Sequence, residues 1–310
     1  MRRREVMSGS LALGLAAGYG SARASTPAAK DAPAQAIGVP KGGARKGYVD
    51  GPFGQIHYYR AHPGAAGAPT LMLLHQSPLS GRQFEQALPL LAQAGIDAIA
   101  WDAPGYGNSD TPLEPPSIKD YAAALKALIQ GLGLRAVHIL GHHTGAQVAT
   151  AFAVSHPQNV SSVILNRPPY FSDDDLARLA SYEHAPEAYS RDGSHLVDLF
   201  ARRARFSPGW TDERVMHRRL VDQLWAGPEV WYGHHAAFAY DMRPDFMQLE
   251  VPTMILTNTG DDIYDLAQVA SKARPDLTFV EMQGGTHDIV DEQPLAWANA
   301  VARWVLARAS

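Results

Sequence analysis

At 310 residues with 46% apolar side chains, the chain is long enough for one large α/β domain with an inserted subdomain, or for two small domains. Its 27 basic and 31 acidic residues give a formal charge of −4, which offers no basis for binding nucleic acid or an anionic membrane surface. The absence of cysteine excludes disulfides, thiolate catalysis and cysteine-ligated zinc.

The first 24 residues read as a targeting segment. Arg2, Arg3 and Arg4 precede a short, glycine-containing apolar run, and Ala22-Arg23-Ala24 offers a cleavage site. Paired arginines before a weakly apolar run resemble a twin-arginine export signal, which implies a periplasmic or secreted protein. The run is too short to span a bilayer. Without these residues the chain carries 23 basic and 30 acidic groups, a charge of −7. Residues 25–44 are rich in Ala, Pro, Gly and Lys and read as a flexible linker.

From residue 45 strands and helices alternate. Residues 47–50 and 55–60 suit a hairpin, 70–74 a buried strand, 83–94 a helix closed by Gly95, and 96–101 the next strand. Residues 117–132 fit a helix capped by Ser117, 136–140 a strand, 145–155 a helix and 161–165 a strand. Strands at 252–257 and 277–282 and a helix at 294–307 complete the series. Uniformly apolar strands alternating with helices imply a mostly parallel sheet covered on both faces. Residues 167–250 break the pattern and fit helices near 173–182, 196–205 and 211–225, read as an inserted helical lid between core segments 45–166 and 251–310.

The chemistry concentrates in Gly141-His142-His143-Thr144-Gly145. A buried strand enters a tight turn with two glycines at fixed spacing, and a helix follows. This is the G-x-Nuc-x-G form of a nucleophile elbow with His143 at its tip. Four other segments sit around it in order: Leu73-Leu74-His75-Gln76-Ser77-Pro78, Asp102-Ala103-Pro104-Gly105-Tyr106-Gly107-Asn108-Ser109, Thr257-Asn258-Thr259-Gly260-Asp261, and Gly284-Gly285-Thr286-His287. Together they resemble the α/β-hydrolase fold family, in its lid-containing esterase, lactonase and dehalogenase-like branch. The resemblance covers about residues 45–308.

That resemblance implies an eight-stranded, mostly parallel sheet and a set of roles. His287 would be the general base and Asp261 its orienting acid, with Asp262 the alternative. The amides of Ser77 and Thr144 would form an oxyanion hole, each donor worth about 3–4 kcal/mol at the transition state. His75, Gln76, His142, Tyr170 and Trp231 are the candidate substrate-binding residues, although in the family His75 packs structurally and His142, before the tip, faces the core side. Two departures stand out: Gln76 replaces the family's glycine, and His143 occupies the position of its serine.

A neutral His143 has several possible uses. It can attack an activated ester or lactone, or act as a base toward water or a carbon acid. His75, His142, His143, His287 and Asp261 are also ligand types for a metal. The sequence reading favours hydrolysis of a small or medium carboxylic ester or lactone, without metal or cofactor. A lyase or other proton-transfer enzyme, or an inactive ligand-binding member of the fold, are the alternatives. The expected partner is a small-molecule substrate, with no nucleic acid and no membrane span. Other features have plainer readings: Trp231, Tyr232, His234, His235, Phe238 and Tyr240 as packing residues, the Arg202–Arg205 run as a solvated helix face, and Ser172 with Asp173–Asp175 as a helix start.

Overall fold

Two-residue periodicity in the central strands organises the core. The computed structural model describes residues 43–182, 188–210 and 212–309; the expected signal segment and nearly all of the linker lie outside them. A hairpin of β1 (Arg45–Gly51) and β2 (Gly54–Ala61) leads into β3 (Thr70–Leu74), α1 (Ala87–Gln93) and β4 (Asp97–Trp101). Then come α2 (Ile118–Gly131), β5 (Val137–His142), α3 (Thr144–Ser155) and β6 (Val160–Asn166). Leu71, Leu73, Ala98, Ala100, Leu140 and Ile164 face one way, into a core with Leu88 and Leu91 of α1. Their neighbours Met72, Leu74, Ile99, Ile139, Val163 and Leu165 face the other way, onto Leu125, Val148 and Phe152 of α2 and α3. Such alternation needs helices on both faces, and each fully buried large apolar side chain contributes about 1.5–3 kcal/mol.

Among the described residues, five α-helices separate β6 from the next strand: α4 (Asp173–Ala180), α5 (Ser194–Ala204), α6 (Glu213–Trp225), α7 (Tyr232–Phe238) and α8 (Arg243–Met247). The sheet resumes with β7 (Thr253–Asn258), followed by α9 (Tyr264–Ala273), β8 (Thr278–Met282), α10 (Ile289–Glu292) and α11 (Pro294–Leu306). The eight strands lie in the order β1-β2-β4-β3-β5-β6-β7-β8. The β1–β2 and β2–β4 pairs are antiparallel and the other five are parallel, so the sheet is mixed but mostly parallel.

Ser117 caps α2 as its sequence implies: its hydroxyl accepts from the Asp120 amide, and the Asp120 carboxylate accepts from the Ser117 amide. Ser172 and Asp175 repeat the device on α4. The helix expected at 83–94 is split into a 3-10 turn, Gly81–Phe84, and α1. The α9 helix was not anticipated from sequence. No helix among the described residues is long and apolar enough to cross a membrane.

Candidate active site

The β5–α3 turn builds the centre of the site. Gly141 and Gly145 are close enough that a Cβ on the first would strike the Gly145 carbonyl, and one on the second the carbonyl of Leu74. His143, between them, has φ 49° and ψ −113°, a left-handed conformation that is costly for a branched-ring side chain. The turn is fixed because the His143 amide donates to Asn166 O at 3.0 Å and its carbonyl accepts from Ala146 at 2.8 Å. Its ring stands over the start of α3 with 13% of the side chain exposed. Burial pushes the imidazole pKa down to about 4, with Asp261 opposing, so His143 is neutral at pH 7.

Three further side chains meet it. His143 Nε2 lies 3.4 Å from Asp261 Oδ2, and its ring centroid is 4.3 Å from that of His287. His287 Nδ1 is 2.8 Å from Asp262 Oδ1 but 3.8 Å from Asp261 Oδ2. The expected pairing of Asp261 with His287 is therefore corrected: Asp262 is the hydrogen-bonding acid of His287, and Asp261 lies nearer His143. The cause is Arg167, which sequence reading missed. Its guanidinium is fully buried, ion-paired with Asp261 Oδ2, and donates to the carbonyls of Thr286 at 3.1 Å and His287 at 3.2 Å. Burial alone would raise the Asp261 pKa; Arg167 and then His143 outweigh it and hold the carboxyl well below its usual range. Asp262 is also lowered, the hydrogen bond and charge of His287 overcoming burial. Arg167 itself sits at φ 56°, immediately after β6. Loop contacts complete the frame, with Asn258 Nδ2 donating to the carbonyls of Gly284 and Thr286.

Other expected site residues fall into two groups. Ser77 and Thr144 flank the turn, and neither amide has a hydrogen-bond acceptor among the described residues. Ser77 packs against Gly233 of α7, where an added Cβ would strike its hydroxyl. Gln76 is buried, its amide donates to Gln83 Oε1 at 3.0 Å, and its own Oε1 has no donor among the described residues.

His75 and His142 require correction. His75 Nε2 accepts from the Ala103 amide and its Nδ1 donates to Gln76 O, both at 2.9 Å. Both nitrogens are thus occupied in tying the β3 end to the loop after β4, and burial lowers the ring pKa. His142 has no exposed surface, and its Nδ1 is occupied by Gln83 Nε2. Neither ring offers a substrate a surface. Tyr170 is half-buried against Phe246, with ring centroids 5.1 Å apart. Trp231 packs on Tyr232 and His235. His235 and Tyr240 line a cleft of about 190 Å³ against Ser117 and Ile118.

A second buried charge network adjoins His287. Arg203 and Arg219, from α5 and α6, pair with Asp288, and Arg218 and Arg219 pair with Asp291. Arg203 is 7% exposed, so the solvated reading of its basic run holds for Arg202 and Arg205 and not for Arg203. From the same inserted segment, Phe206 lays its ring 5.2 Å from that of His287.

Taken together, the site holds two imidazoles, each beside a carboxylate and able to accept or release a proton. The ligating atoms of His143, Asp261, Asp262 and His287 all lie within 4.8 Å of one another.

Known proteins share this frame. Residues 69–294 match the model of the alpha/beta hydrolase fold. A 2-hydroxy-6-oxononadienedioate/2-hydroxy-6-oxononatrienedioate hydrolase of Pseudomonas putida is 39% identical over 115 residues, which is 36% of this chain and 39% of that protein. The chain thus spans about two fifths of the length of that relative. A non-heme chloroperoxidase of Streptomyces lividans is 28% identical over 246 residues, 71% of this chain and 85% of that one. The enol-lactonase of Burkholderia xenovorans LB400 superposes with a TM-score of 0.70 at 18% identity, over 84% of this chain and all of that one. With the matched region covering most of its length, and with its sheet order and turn geometry, the chain belongs to the α/β-hydrolase fold family.

Proposed function

We propose that the chain is a hydrolase of small or medium carboxylic esters or lactones, with His143 at the elbow position that serine holds in the family. The observation that carries this reading is the pair of adjacent imidazole–carboxylate contacts, His143 with Asp261 and His287 with Asp262, at the left-handed β5–α3 turn. The name of the Pseudomonas putida relative agrees with hydrolysis as the reaction class.

In this reading His287 donates Nδ1–H to Asp262, which leaves Nε2 as the base. His143 is neutral and either attacks the carbonyl carbon or deprotonates the attacking water. On attack the carbonyl oxygen becomes an oxyanion, received by the free amides of Ser77 and Thr144. Collapse breaks the C–O bond, the leaving alkoxide takes the proton given up by His143 or by the attacking water, and water deprotonated by His287 cleaves any acyl-imidazole to the acid and free His143. Helices α4–α8, within residues 167–250, serve as the lid; Phe206 against His287 supports this. Gln76, Tyr170 and Trp231 remain the substrate-side candidates. Residues 1–24 act as the export signal and 25–44 as a linker, to be tested by the intact mass of the exported protein.

The test assays the full chain on aryl esters and lactones, beside His143→Ala and His143→Ser. Turnover lost in His143→Ala, with an acyl adduct trapped on His143, supports the nucleophile. Turnover that survives removal of both His143 and His287 overturns the reading. Proton transfer without water is the second reading, favoured by two imidazoles at a turn that presents no hydroxyl at its tip. Absence of solvent ¹⁸O from the product would select it.

A further inference from the structure

The four side chains at the turn come from three separate segments: the β5–α3 connection, the residues after β7, and the loop before α10. They offer two imidazole nitrogens and two carboxylates within one 4.8 Å cluster. The measured separations are 3.4 Å from His143 Nε2 to Asp261 Oδ2, 3.8 Å from His287 Nδ1 to the same oxygen, and 2.8 Å from His287 Nδ1 to Asp262 Oδ1. A tetrahedral ion with ligands at about 2.0–2.1 Å holds them roughly 3.3 Å apart. These three separations bracket that value, and all four ligand atoms lie within 4.8 Å of one another.

We propose that His143, His287, Asp261 and Asp262 form a binding site for a divalent transition-metal ion of the zinc class.

The surroundings are those of a ligand shell. Arg167 and the Ile263 amide fix the two oxygens of Asp261, the amide donating to Oδ1 at 3.0 Å, as outer-shell donors fix a ligating carboxylate. Two carboxylates against one guanidinium leave the cluster one negative charge when both rings are neutral. The imidazoles select against magnesium and calcium, which prefer oxygen alone. An ion can enter, because the side chains of His143 and His287 are 13% and 14% exposed and that of Asp262 is 43% exposed. On binding, each ring presents a lone pair from its site-facing nitrogen and carries its proton on the other one. His75 and His142 lie outside the cluster: both nitrogens of His75 and Nδ1 of His142 are engaged as described above, and His142 Nε2 is buried with no partner among the described residues.

This inference rests on the ligand geometry and is independent of the ester reading. Turnover by the chelator-treated, metal-free chain reports on that reading; metal content reports on this one. The untagged full chain is loaded with zinc chloride, desalted, and measured by elemental analysis and calorimetric titration. One zinc per chain is expected. His143→Gln and His287→Gln should each weaken it by more than the roughly 10–100-fold that loss of an outer-shell partner costs. His217→Ala, at an exposed position on α6, should leave it unchanged. Zinc that stays stoichiometric in both histidine variants, or none in the wild type, overturns the proposal. A second measurement needs no substitution. Cobalt(II) in the wild type should give the intense d–d absorption of a four-coordinate nitrogen–oxygen site, and the spectrum of the aqueous ion would overturn it.

Discussion

Two buried charge clusters flank His287, and they are built differently. On one side Asp261 meets one guanidinium and the imidazole of His143, while Asp262 meets the imidazole of His287. On the other, beginning at the very next residue, Asp288 pairs with Arg203 and Arg219, and Asp291 with Arg218 and Arg219. Ser207 adds a hydroxyl to Asp288. A carboxylate gripped by two guanidiniums has no freedom to exchange protons near neutrality, since arginine does not deprotonate. An imidazole beside a carboxylate does. The guanidinium cluster is therefore a clamp, joining α5 and α6 to the segment that carries His287, while the imidazole cluster is equipped for proton transfer or ligation.

The largest expected effect breaks the clamp. Asp288→Ala leaves Arg203 and Arg219 buried without that countercharge, and removing one partner of a buried pair costs about 3–5 kcal/mol. Urea unfolding should show this as a lower midpoint at unchanged slope. A loss below about 1 kcal/mol would mean that the guanidiniums reach water, and the contrast between the clusters would fail.

The second effect separates the clusters by pH. Asp261 and Asp288 both have depressed pKa values in the folded state. Their stabilisation is complete above the unfolded value of about 3.9 and is lost as pH falls below it. His143 is also depressed, to about 4 from 6.5, but its window lies higher. Between those values the unfolded chain binds the proton and the folded site does not. Stability therefore falls with pH from 6.5 toward 4, by up to about 1.4 kcal/mol per unit and roughly 3 kcal/mol in all. His75, His138 and His142 are buried with lowered pKa values too, so each also lowers stability as pH falls below about 6.5. The difference in unfolding free energy between wild type and His143→Gln isolates the one ring. Parallel curves between pH 4 and 7 would remove His143 from the buried neutral state assigned to it.

The sequence was legible where a local rule acts. Strand alternation, the Ser117 cap, and the paired glycines around His143 depend on neighbours within a few residues, and each stands where its pattern implies. Long-range charge was not legible. Asp261 and Asp262 are adjacent and chemically alike; the choice between them is made by Arg167, 94 positions away from Asp261 in the chain. The basic run 202–205 looked solvated because composition ignores helical phase. The helix turns Arg202 and Arg205 outward and carries Arg203 inward onto Asp288. His75 and His142 were grouped with the site because they border its motifs. Only coordinates reveal that their nitrogens face Ala103 and Gln83.

The smallest effect tests which acid serves His287. Asp261→Asn is a poor probe, because it strips the buried Arg167 of its carboxylate and confounds chemistry with folding. Asp262 is the cleaner position, as its side chain is 43% exposed and none of the ion pairs described here joins it to an arginine. Asp262→Asn keeps the shape and a hydrogen-bonding oxygen while removing the charge that stabilises a protonated His287. Water screens a partly exposed charge, so the loss in kcat should be about tenfold, near 1.4 kcal/mol, with KM and the thermal midpoint unchanged. A KM change at constant kcat would mean that Asp262 holds substrate and not the ring. No change in either, in a chain that His143→Ala silences, would leave the work to His143 and Asp261 and reduce His287 to a neighbour.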